Sequence, residues 1–217
     1  MPSGSLVENL RRHFPRVCGA LGDDVWRALM HGFQAQHHRA DPGAGAMPVS
    51  FVRFLQRREA SGVDPPWLSE LAHHEYVELL LEQSHPPVAP VRADGDLLDG
   101  VPLLSLVVPL AYRWPVHLIG SGAMPDVAPG SATLLVARKV VRQPVSVMQV
   151  SGFEYALLAS LSANRWPGRR HLIELARGSR NDPSQMLMLG RALLERLRRD
   201  GVILGTLAET GHAVAKG

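Results

Sequence analysis

With 217 residues, 46% of them hydrophobic and 20% charged, the chain has ordinary globular composition and is long enough for one large domain or two small ones. No apolar run approaches the roughly 20 residues that cross a bilayer; the longest, residues 101–110, holds two prolines and is followed by Arg113. The N-terminus lacks the apolar stretch of a secretory signal. The single cysteine, Cys18, excludes an internal disulfide framework and a thiolate metal cage, so a cytoplasmic setting is expected.

The net charge of +3 conceals an asymmetry. Residues 1–109 carry 9 Lys and Arg against 13 Asp and Glu, and residues 110–217 carry 14 against 7. The basic half is either a partner surface or a solvated face.

In chain order, residues 6–21 read as a helix broken by Pro15, with Leu6, Leu10, Phe14 and Val17 at helical spacing. Asp23 or Asp24 is placed to cap a second helix holding Val25, Trp26, Leu29, Met30 and Phe33. Gly, Ala and Pro make 39–47 a loop. A short third helix around Phe51–Leu55 ends near Gly62, and Trp67, Leu68, Leu71, Tyr76, Leu79 and Leu80 mark an amphipathic fourth. A Pro/Asp/Gly run at 85–99 suggests a linker. Beyond it, 110–119 is extended and apolar, with Pro115 favouring an edge strand. Runs 132–141 and 145–150 form a hairpin. Helices follow at 153–163, 171–177 and 183–199, the last capped by Asp182 with Pro183 in its first turn; residues 202–207 return as a strand. The expectation is an α+β chain: a helical bundle over 1–90, a linker over 91–110 and a small winged-helix-like domain over 111–217.

His74 and Glu78 lie four residues apart on one helix face, but Glu78 stands where a zincin has its second histidine. Half a metal site with no third ligand is weaker than a polar face beside a Leu/Tyr stripe, and no metal is expected. Cys18, four residues after Phe14, reads as a buried thiol. Ser105, Ser121 and Ser151 lack a nucleophile-elbow context, and Gly120-Ser121-Gly122 is no phosphate loop. The chain is therefore not expected to be an enzyme. Arg169, Arg170, Arg177, Arg180 and Arg191, with Gln185, would suit phosphate and base contacts of a helix-turn-helix. The Met186-Leu187-Met188-Leu189 stretch suits a packed or peptide-binding face better.

Three segments, LRRHFPRVCGALGDDVWRALMHGF (10–33), DPPWLSELAHHEYVELLL (64–81) and PLLSLVVPLAYRWPVHLIG (102–120), resemble a family of DNA-binding-domain proteins. That family includes the HvfC-type accessory proteins of ribosomal peptide natural-product (RiPP) pathways. Ala111 to His117 is the most specific stretch. The resemblance implies a helical domain followed by a small domain like a leader-peptide recognition element, which takes a peptide as an added strand. It also implies a partner, a TIM-barrel multinuclear iron oxidase of the methanobactin-synthase type from the same operon. The iron would belong to that partner, with no cofactor in this chain. On this reading Val136, Ala137 and Arg138 offer a strand edge, and Met186 and Leu189 a helix face, to the precursor peptide. Tyr112, Arg113 and Trp114 are candidates for the partner interface or for a structural cluster at the domain junction. Trp67, His74, Glu75 and Glu78 are further candidates for the partner face. The competing reading is a transcriptional regulator that binds nucleic acid through the basic half.

Overall fold

The computed structural model describes residues 3–37, 47–87, 89–120, 130–139, 143–178 and 182–208; Arg180 and most of the expected loop at 39–47 lie outside them. Eight α-helices and six strands are present among these residues, an α+β chain. They divide into two units, each built from two separate stretches. Unit 1 holds 1–83 and 111–133, and unit 2 holds 84–110 and 134–217.

Unit 1 begins with α1 (Ser3–His13) and α2 (Pro15–Leu21). Pro15 divides them because it has no N–H to give to the preceding turn, and it sits instead in the first turn of α2. Gly22, at φ 76°, ends α2 in a conformation that disfavours a Cβ. Then follow α3 (Asp23–His37), α4 (Met47–Glu59) and α5 (Leu68–Gln83). Helix α4 is longer than the run around Phe51–Leu55 suggests, since Met47 to Ser50 carry its first turn. Phe14, Trp26, Phe33, Phe51 and Phe54 are almost wholly buried, with Phe51 central: its ring lies 4.9 Å from Phe14, 5.8 Å from Trp26 and 5.4 Å from Phe33. A buried side chain of that size contributes on the order of 2–3 kcal/mol.

The expected linker is not one. Within 91–110 lie β1 (Val91–Arg92), β2 (Pro102–Leu104) and most of β3 (Leu106–Tyr112). Strand β6 (Ile203–Leu207) pairs antiparallel with both β1 and β2. The Pro, Asp and Gly residues that resemble a linker make the turn between two short strands, where Asp96 accepts hydrogen bonds from the backbone N–H of Leu98 and Asp99. A second sheet has the order β3-β4-β5, with β4 (Thr133–Lys139) central and β5 (Ser146–Gln149) at its edge. The hairpin is thus as expected, whereas the closing strand joins a separate sheet. The extended reading of 110–119 also fails past Tyr112: a 3-10 turn follows at Val116–Leu118, burying Val116 and Ile119.

Helices α6 (Gly152–Ala163), α7 (Gly168–Gly178) and α8 (Pro183–Arg199) complete unit 2. Ser151 caps α6 by accepting from the Glu154 N–H, and Asp182 caps α8 by accepting from Gln185. Gly201, at φ 70°, closes α8. Leu157, Leu158 and Leu161 of α6, Leu172 of α7 and Leu194 and Leu197 of α8 form one buried cluster with Val136 and Ile203.

Candidate functional site

The Ala111–His117 stretch is held from α5. Glu70 accepts the backbone N–H groups of Arg113 and Trp114, one on each carboxylate oxygen, at 3.1 and 3.0 Å. Its Oε1 also pairs with the Arg113 guanidinium, which reaches Glu59 as well. Tyr112 and Trp114 are buried, and the Tyr112 hydroxyl shares a 2.9 Å hydrogen bond with His73 Nδ1. Burial pushes the Tyr112 hydroxyl pKa up and the His73 pKa down. Of this trio only Arg113 reaches solvent, and its guanidinium is committed to two carboxylates.

Glu75 does similar work one turn on. Helix α2 starts without a capping side chain, because Phe14 has none to offer. Glu75 supplies it from α5, accepting the Arg16 N–H at 2.7 Å and the Val17 N–H at 3.0 Å. The Arg16 side chain turns back onto Glu75 and Glu78. His74 is fully buried beside Tyr112; neither of its ring nitrogens has a hydrogen-bond partner, and Glu78 Oε1 is 3.7 Å from Nε2. Burial, helped by Arg16 and His117, holds its pKa down to about 3, so the ring is neutral.

Among the described residues no group of three His, Cys, Asp or Glu is placed to hold a metal. Trp67, His74 and Glu75 are buried, and Glu78 is tied to Arg16. These positions therefore organise the interior of unit 1, with Glu78 partly exposed at its margin. The sequence pattern that suggested a partner surface is the signal of two buried carboxylates holding backbone N–H groups. Cys18 is buried, as its place on the apolar face implies.

In unit 2, Val136 and Ala137 are buried and β4 has a neighbour on each side, so residues 136–138 form no edge. Leu135, Val136, Ala137 and Arg138 pair with Gln149, Met148, Val147 and Ser146. Arg138 additionally donates to the Asp200 carbonyl at 2.8 Å. Among the described residues the hairpin's open edge is β5. Val150 N–H bonds the Leu134 carbonyl, and alternate residues of an antiparallel strand point their amides the same way. Val147 and Gln149 consequently direct N–H and C=O outward. Met148, opposite the core residue Val136, shares its helix-facing side but stays exposed.

Three residues beyond β5 a groove of about 380 Å³ opens, lined by Phe153 and Ala156 of α6, Leu175 and Gly178 of α7 and Met186 of α8. Met186 is buried as its floor, while Met188 and Leu189 are exposed on the same helix. The nucleic-acid candidates among the described residues are all exposed, and several have partners within the chain. Arg169 pairs with Asp99, Arg177 with Glu174, and Arg170 stacks over Trp166; Gln185 and Arg191 remain exposed.

Residues 105–198 match the family described as the HvfC C-terminal domain. That stretch, under half the chain, runs from β3 to the end of α8. No curated protein sequence matches the chain. No described helix is long and apolar enough to cross a membrane.

Proposed function

We propose that the chain is a non-catalytic accessory subunit of ribosomal peptide maturation. Its unit 2 takes an extended precursor peptide as an added strand on β5, beside the groove floored by Met186. The observation that carries this reading is the open β5 edge, uncharged and with Met148 exposed, inside the stretch that matches the HvfC C-terminal domain. An added strand would satisfy the outward amides of Val147 and Gln149 and cover Met148, with alternate side chains facing the groove. The oxidative chemistry then belongs to a TIM-barrel iron oxidase encoded alongside, which this subunit would bind and supply with peptide.

The test is calorimetric titration of the full chain with the leader segment of the co-encoded precursor. Saturable binding that weakens at least tenfold in Val147→Pro supports the reading. That variant removes an outward N–H and leaves the β4–β5 ladder bonds in place. No peptide binding, together with steeply salt-dependent binding of the chain to its own promoter duplex, would make it a DNA-binding regulator instead.

A further inference from the structure

The end of unit 2 formed by the α6–α7 loop carries a different surface, built around residues 164–170. Two backbone bonds pin this loop: Gly168 N–H to the Gly100 carbonyl and Arg169 N–H to the Leu98 carbonyl. A Cβ on Gly168 would lie 2.0 Å from the Leu97 carbonyl oxygen, so the approach is tight. On this fixed loop the Arg170 guanidinium sits 4.3 Å above the half-buried Trp166 ring. Arg165 is exposed and makes no ion pair among the described residues. Beside the loop, joined through the Arg169–Asp99 pair, a polar groove of about 200 Å³ is lined by Asp94, Asp96, Arg191, Glu195 and Arg198. Arg191 is likewise exposed, with Asp96 close enough to feel its charge.

Trp and Arg held in one geometry are the residue types that carry most binding energy in protein interfaces, because little conformational freedom is left to lose on contact. The charge pattern decides between kinds of partner. Duplex DNA presents uniform negative charge, whereas this surface sets Asp94, Asp96, Asp99 and Glu195 among its arginines. A protein surface that offers carboxylates to Arg165, Arg170 and Arg191, and a flat apolar or amide surface to Trp166, matches the mixed signs.

We infer that this loop and the adjoining groove are the surface by which the chain docks onto the carboxylate-bearing face of its catalytic partner, at the far end of α6 from the peptide groove. The inference rests on the accessory-subunit reading. The experiment is calorimetric titration of the co-encoded barrel oxidase with the wild-type full chain, Arg165→Glu/Arg170→Glu and Trp166→Ala. The leader peptide is titrated into each in parallel. The expected result is a loss of roughly 100-fold in oxidase affinity for the double reversal at low salt, and less at high salt, with peptide affinity unchanged. The reversed residues are exposed, so the fold is kept. Oxidase affinity unchanged in both variants overturns the surface and leaves the accessory reading standing. An oxidase that does not bind the wild-type chain overturns both. Duplex binding lost in the double reversal assigns the patch to nucleic acid and overturns the inference.

Discussion

Replacing Glu75 with alanine removes the acceptor for two N–H groups at the start of α2, the Arg16 and Val17 amides at 2.7 and 3.0 Å. The Val17 bond is buried. An unsatisfied buried donor costs about 1–3 kcal/mol, and Arg16 retains Glu78, so its charge is not stranded. Against this stands the relief of desolvating a carboxylate whose pKa burial already pushes up. The balance predicts a destabilisation of roughly 2–4 kcal/mol, and about half that for Glu75→Gln, which keeps one acceptor oxygen. Urea unfolding followed by tryptophan fluorescence measures it, since Trp26, Trp67 and Trp114 all lie in unit 1 and only Trp166 lies in unit 2. Loss should fall on the transition reported by those three, with an unchanged denaturant slope. A Glu75→Ala chain within about 0.5 kcal/mol of wild type would refute the capping role.

His74, with a folded pKa near 3 against about 6.5 when unfolded, takes up a proton only on unfolding. Stability should therefore fall as pH drops below about 6.5, by up to ~1.4 kcal/mol per pH unit. The raised pKa values of Glu75 and Glu78 act oppositely, near and above about 4.5; His74→Leu should flatten the slope between pH 6.5 and 5 in urea titrations, and equal slopes would refute the assignment. A Cβ on Gly190 would sit 2.2 Å from the Leu172 Cδ2, and Leu172 is fully buried, so Gly190→Ala should cost about 1–3 kcal/mol despite alanine's better helix propensity. A thermal midpoint at or above the wild-type value would contradict that close approach. Asp182→Ala, which uncaps α8, should cost about 1 kcal/mol by the same measurement; no change would mean the cap is dispensable.

The helices were legible because their signals are local: Pro15 between α1 and α2, and Asp182 with Pro183 at the start of α8. The β4–β5 hairpin was legible from two β-branched runs, and the α+β class followed. What was hidden depends on pairing across distance. Strands of two and three residues, β1 and β2, carry too few positions for a period. Their partner β6 lies some hundred residues on, so a paired turn and a linker look alike in sequence. The same blindness affected the site. Val136 to Arg138 has the composition of any strand, and only the sheet order shows that β5 is the edge. Tyr112, Trp114 and Glu75 stood out because they are unusual residues in an unusual pattern. The reason, carboxylates that hold backbone N–H groups 43 to 59 positions away, is a tertiary fact.

The interleaving of the two units constrains how the protein can be cut. The core of unit 1 is not closed by its first 83 residues, because Trp114, Val116 and Ile119 come from the later stretch. Likewise β6, the central strand between β1 and β2, is made only after α8. The stretch 105–198, though it matches a family by itself, lacks β1, β2 and β6. Expressed alone it would lose Leu97, Val202 and Ile203 from the buried cluster that they form with Leu158 and Leu197. A fragment that behaves as a stable domain must carry residues on both sides of each crossing.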